Sequence, residues 1–156
     1  MASKSDVVRR LKATRDELTA VVQSAREDSW SRPAYEGWSC LHLLCHIAST
    51  SGVASFILTL SRLPAGPPAG GPAFDQAAFN SQQVALRAGR SPAAVLDEIG
   101  ANVQRDIQVV EAASEADLQK HFAAPWGSEG SVAEVIVASH DNHLGMHIGD
   151  LRRVLA

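Results

Sequence analysis

Positions 132, 136, 140, 143, 147, 151 and 154 of this chain read Val, Ile, His, His, His, Leu and Val. At about 100° per residue they fall within a narrow arc of one helix. Three histidines therefore interrupt a stripe that is otherwise apolar and core-facing. An unsatisfied buried polar group costs about 1–3 kcal/mol, so a fold that buries this stripe must give its imidazoles partners.

The remaining patterning is also helical. Val7, Leu11, Thr14, Leu18, Val21 and Ala25 recur at steps of three and four, marking one face of a helix over 6–27. Residues 28–38 read as a loop. Ser39 is the expected N-cap of a second helix running to about Leu63, where Pro64–Pro72, dense in proline and glycine, stops it as a loop. Residues 74–89 read as a weaker helix. Ser91-Pro92 places a cap before a first-turn proline, opening a helix to about Ala113 that turns Val95, Ile99, Val103, Ile107 and Val110 inward. Residues 114–130 read mostly as loop, with a short turn at Glu115–Lys120. Ser131 and Glu134 form a capping-box sequence that opens a last helix reaching almost to Ala156. No segment alternates as a strand does, and nothing repeats. The expected fold is all-α: an up-down four-helix bundle, with an additional short helix in the connections, formed by residues 1–156 as one domain.

Composition narrows the function. Fourteen Lys and Arg against 17 Asp and Glu give a net charge of -3, which offers no basic footprint for nucleic acid. The cysteines, Cys40 and Cys45, fit neither a disulfide framework nor a CxxC motif. With no signal-peptide core at the N-terminus and no run of about 18 apolar residues, a cytoplasmic protein that does not span a membrane is expected.

Five of the six histidines form two clusters, His42 with His46, and His140 with His143 and His147. His46 lies in line with Val53 and Ile57, so it too is expected to point inward. His143 and His147, as i, i+4 neighbours, place their Cβ atoms about 5–6 Å apart, close enough to share one ion. A third ligand from another helix leaves a position for water or substrate, the arrangement of catalytic zinc. Periodicity alone lets all five histidines reach the same interior region and does not choose among them.

The segment Gly37-Trp38-Ser39 through Leu43-Leu44-Cys45-His46-Ile47-Ala48 resembles the GW(S/T)…LLxH(L/I)A signature of the DinB/YfiT-like metalloenzyme superfamily. His143-Leu-Gly-Met-His147-Ile-Gly-Asp150-Leu151 is similar to that family's terminal HxxxHxG element. Asn80 through Ile99 resembles the N-terminal domain of mycothiol-dependent maleylpyruvate isomerases. The resemblance implies a four-helix bundle whose divalent metal is held by His46, His143 and His147, with His42 and His140 left as outer partners or alternative ligands. It also implies a dimer, and thiol-dependent transfer or isomerisation using mycothiol or bacillithiol as a low-molecular-weight thiol and an electrophile as substrate. The isomerase branch is expected to carry Glu where this chain has His143, and a second domain that this chain lacks, so isomerase activity itself is not expected. Zinc suits neutral imidazoles best, with nickel, iron or manganese as other candidates. The alternative is a non-catalytic dimeric metal-binding or stress-response module of the same fold.

Other residues have weaker claims. Asn80, Arg87 and Trp126 are candidate pocket residues, and Trp126-Gly127 is placed to close over the site. Asp150, near the face of His147, is a better acceptor for a ligand histidine than Asp141. Trp38 is expected to plug the start of its helix, Cys40 and Cys45 to pack as inert thiols, and His121 to lie on the surface.

Overall fold

The computed structural model describes residues 2–63 and 75–155. The expected loop at Pro64–Pro72 lies outside them. In chain order the elements are α1 (Lys4–Ser24), β1 (Pro33–Tyr35), β2 (Trp38–Ser39), α2 (Cys40–Thr50), α3 (Val53–Ser61), α4 (Gln76–Ala85), α5 (Pro92–Ala112), α6 (Glu115–Gln119), β3 (His121–Ala123), β4 (Glu129–Ser131), α7 (Val132–Ala138) and α8 (Gly145–Leu155). Four long segments make the bundle: α1, α2–α3, α5 and α7–α8. Both α1 and α2–α3 pack on α5 and on α7–α8. The first and second segments thus lie diagonally, as do the third and fourth, and the order around the bundle is α1, α5, α2–α3, α7–α8.

The expected caps form. Ser39 accepts from the His42 N–H, Ser91 from Ala94, and Ser131 and Glu134 close a reciprocal capping box. Each satisfies backbone donors that a helix start leaves open. The face of α1 read from periodicity is buried at Val7, Leu11, Thr14, Leu18 and Val21, and α5 buries all five of its expected apolar residues.

Two long helices expected to be continuous are interrupted. The second breaks at Ser51-Gly52, and α5 supplies the reason. Asn102 Nδ2 donates to the Ala48 carbonyl and to Ser51 Oγ, closing the end of α2. One turn on, the buried Asp106 carboxylate accepts the N–H groups of Ala54 and Ser55, each at 2.9 Å, and the Ser55 hydroxyl, capping the start of α3. Taken together, Cys40–Ser61 is 22 residues long and on average apolar enough to cross a bilayer, although histidines, serines and threonines interrupt it throughout. More than half of it is buried inside the bundle, as befits a core segment.

The last helix is interrupted by a π turn over Ser139–Leu144, where the Gly145 N–H reaches back to the His140 carbonyl. A π turn adds about one residue to the helical repeat, so it rotates the buried face by about 100°. Before the turn the core side is Val132, Ala133, Val135 and Ile136. From its last residue, Leu144, onward the core side is Leu144, Ile148, Leu151 and Leu155.

Two segments read as loop contain short hairpins. β1 pairs antiparallel with β2, and β3 with β4. Glu36 and Gly37, at φ 41° and 83°, form the tip of the first. Positive φ at both central residues is what a tight hairpin turn with the strand twist requires.

Candidate metal centre

α2 and the π turn with α8 bring His46, His143 and His147 together, with one ligand-capable atom from each within 4.8 Å of the others. Nε2 of His46 lies 3.1 Å from Nε2 of His143. The three rings stand nearly edge-on to one another, with centroids 4.8 to 5.1 Å apart. His46 and His147 are only 3% and 2% exposed, whereas His143 is half-buried. The rotation at the π turn accounts for that difference. An unbroken helix would place His143 in the middle of the face that α7 buries, and the extra residue moves it to the margin of the core.

The first hairpin walls the site. Tyr35 sets its ring edge against His147 at 4.9 Å, and Trp38 tilts against His46 at 5.1 Å. Trp38 thus touches the imidazole as well as the helix start. Tyr35 was not singled out from the sequence. Its signal is the Glu-Gly turn that returns the chain to Trp38.

Electrostatics keep the cluster neutral. Burial, reinforced by the neighbouring imidazoles, lowers His46 and His143 from 6.5 to about 4. Burial lowers His147 as well, opposed by the Asp150 and Glu36 carboxylates. Asp150 Oδ2 stands 3.6 Å from His147 Nδ1, while its Oδ1 takes Arg153 at 3.1 Å. Nδ1 of both His46 and His147 is buried without a hydrogen bond. Neutral imidazoles with Nε2 atoms converging and buried outer nitrogens suit a divalent cation, which requires unprotonated ligands.

The other histidines stand apart from this set. His42, one turn before His46, is half-buried. His140 is completely buried with neither ring nitrogen partnered. His121 is exposed and pairs with Glu129 at 3.2 Å across the second hairpin.

The remaining candidates have partners of their own. The Arg87 guanidinium is tied to Glu98 and to Gln83. Asn80 is half-buried on α4. Trp126 stacks on Phe56 of α3, centroids 6.2 Å apart. Asp141 pairs with Arg10 rather than with a histidine. Cys40 and Cys45 are buried free thiols that burial pushes up in pKa, as expected of packed rather than reactive cysteines.

Comparison with known proteins agrees with this architecture. The "Mycothiol maleylpyruvate isomerase N-terminal domain" family matches residues 11–152. No curated protein matches by sequence. Among solved structures, a mycothiol-dependent maleylpyruvate isomerase superposes with a TM-score of 0.75 at 13% identity, over 96% of this chain and 61% of that one. This chain thus spans less than two thirds of that protein's length. YfiT from Bacillus subtilis, described as a probable metal-dependent hydrolase with an unusual four-helix bundle topology, gives 0.70 at 16% identity, over 98% and 89% of the two chains. The colibactin self-resistance protein ClbS, solved with a double-stranded DNA, gives 0.72 at 14% identity, over 99% and 96%. With its four-helix bundle and a histidine triad between the second and last bundle segments, the chain belongs to the mycothiol maleylpyruvate isomerase N-terminal domain family, within the DinB/YfiT-like superfamily.

Proposed function

We propose that His46, His143 and His147 hold one divalent metal ion, zinc by preference, and that the protein uses it as a thiol-dependent S-transferase or related detoxification enzyme. The observation that carries this reading is the convergence of three neutral imidazoles, Nε2 to Nε2 at 3.1 Å for His46 and His143, with His143 at the margin of the core. A bound divalent cation supplies Lewis acidity that lowers the pKa of a coordinated thiol or water.

The chain's own residues do the rest. Holding a metal through three imidazoles would leave room for a mycothiol- or bacillithiol-type thiol. Asp150 Oδ2, 3.6 Å from the far nitrogen of His147, is placed to accept its proton and orient the ring. Tyr35 and Trp38 cover two of the rings and keep water from them. In the transfer itself the thiol sulfur, having released its proton to solvent, bonds to the electrophilic carbon, and the leaving group departs with its electron pair.

The test is turnover of chlorobimane with bacillithiol, mycothiol or glutathione, with and without chelator. Chelator-sensitive transfer with one thiol, lost in His46→Ala, is expected. Absence of transfer with all three thiols, in protein that binds zinc, would favour a non-catalytic metal-binding module.

A further inference from the structure

The Asp150 carboxylate is shared between two partners. Its Oδ2 stands 3.6 Å from Nδ1 of His147, and its Oδ1 accepts from Nη2 of Arg153 at 3.1 Å. The same Nη2 donates to the Ala34 carbonyl at 3.4 Å. Ala34 is buried in β1 and precedes Tyr35, whose ring edge stands against His147. One guanidinium nitrogen of α8 thus joins the first hairpin to the carboxylate beside a ligand-capable histidine.

An exposed ion pair contributes little by itself, and the Arg153 side chain is 68% exposed. What it holds is better enclosed. The Asp150 side chain is 18% exposed, and Nδ1 of His147 is buried without a hydrogen bond. When a neutral imidazole gives Nε2 to a metal, its proton sits on Nδ1 and needs an acceptor. Bulk water does not reach that nitrogen, so the direction of the Asp150 carboxylate decides whether the proton is accepted. At 3.6 Å, Oδ2 is just outside hydrogen-bond range, and a small turn of the carboxylate settles the matter either way. Arg153 occupies Oδ1 and leaves Oδ2 facing the ring, while the Ala34 carbonyl anchors the guanidinium.

We propose that Arg153 is a positioning residue of the metal centre, orienting the Asp150 carboxylate so that Oδ2 accepts the Nδ1 proton of His147. The inference rests on the triad being a metal site. Arg153 touches no ligand histidine in this arrangement, and its effect runs through Asp150.

Coulomb's law alone predicts the opposite sign. Deleting a positive charge near a site for a dication would tighten zinc, although solvent screens an arginine this exposed. Positioning predicts weaker binding. Arg152 supplies the control, because it carries the same charge one residue earlier and pairs with Glu17 of α1 instead.

The test measures zinc affinity by chelator competition, and the thermal midpoint of the metal-free protein, for the wild type, Arg153→Ala, Arg153→Lys, Arg152→Ala, Asp150→Ala and the double variant Asp150→Ala with Arg153→Ala. Loss of the outer partner of a ligand histidine typically weakens metal binding 10- to 100-fold, so Asp150→Ala should fall in that range and Arg153→Ala, one step further out, should lose about three- to tenfold. Arg153→Lys should recover part of the loss, since an ammonium can still hold Oδ1. Arg152→Ala should bind zinc as the wild type does or slightly tighter. In the Asp150→Ala background, Arg153→Ala should cost nothing more, because two residues acting through one contact are not additive. Zinc affinity within twofold of wild type in Arg153→Ala, or tighter, would overturn the inference, whatever the midpoint does. An undiminished loss in the Asp150→Ala background would overturn it too, since the effect would then bypass the carboxylate. Either result leaves the triad intact as a metal site. Failure of the wild type itself to bind zinc would instead remove the metal reading and this inference with it.

Discussion

His46 and His143 face each other Nε2 to Nε2 at 3.1 Å, from helices 97 residues apart in sequence. Two neutral imidazoles gain one hydrogen bond from that arrangement, and the outer nitrogen of His46 stays buried and unpartnered. A divalent cation would use both lone pairs at once, so the metal-free site holds more binding capacity than it uses.

Saturating zinc should therefore stabilise the fold. At a free concentration 100 times the dissociation constant, linkage gives about 2.7 kcal/mol, which for a chain of this size raises the midpoint by roughly 5–10 °C. Differential scanning fluorimetry with and without zinc reads this directly. His46→Ala should abolish the shift. An equal shift in that variant would mean that zinc binds elsewhere.

Acid should destabilise the metal-free protein at unusually mild pH. His46, His140 and His143 are lowered from 6.5 to about 4 in the fold, burial being the first cause for each. Between those values the unfolded chain takes up protons that the folded chain refuses. The stability contributed by neutral imidazoles is thus complete above pH 6.5 and is lost as pH falls toward 4. At about 1.4 kcal/mol per unit, His140 alone accounts for roughly 3 kcal/mol. Urea titrations from pH 7.5 to 4 should show the decline, and His140→Leu should flatten it. A profile level down to pH 4.5 would contradict the burial argument.

The joint between α2 and α3 should be the most sensitive structural point away from the histidines. Asp106→Ala removes the acceptor for the N–H groups of Ala54 and Ser55 and for the Ser55 hydroxyl inside the core. Stranding buried donors at a helix start costs about 2–4 kcal/mol. Asp106→Asn should also destabilise, because its amide nitrogen turns a donor toward donors. Chemical denaturation gives both values, and a loss under about 1 kcal/mol for Asp106→Ala would show that water replaces the cap.

These residues also mark where the sequence was legible. Helix faces and caps are local: the i, i+3, i+4 stripes of α1 and α5, and the caps at Ser39, Ser91 and Ser131, are set by residues within a few positions of each other. The break after Thr50 is imposed by Asn102 and Asp106, about fifty residues downstream, so Ser51-Gly52 alone carried too weak a signal. The π turn has no side-chain signature, and it decides which histidines of the stripe meet His46. Treating 132–154 as one uninterrupted arc put His140, His143 and His147 on equal terms. The extra residue separates them, leaving His140 in the core and turning His143 and His147 toward α2.

The hairpin that walls the site provides a last expectation. Glu36 occupies the left-handed region at φ 41°, and Gly37 follows at 83°. A residue with a Cβ pays about 1–2 kcal/mol for that conformation, and asparagine pays less because it tolerates it. Glu36→Asn should raise stability by about 0.5–1 kcal/mol, a shift of roughly 1–4 °C. The Glu36 carboxylate raises the His147 pKa from outside the triad, so its loss makes that ring slightly less basic while every imidazole stays in place. Zinc affinity should thus change by much less than tenfold. Stabilisation accompanied by a tenfold or greater loss of affinity would place Glu36 inside the centre, and would mean that its backbone conformation is retained for the site rather than tolerated by the turn.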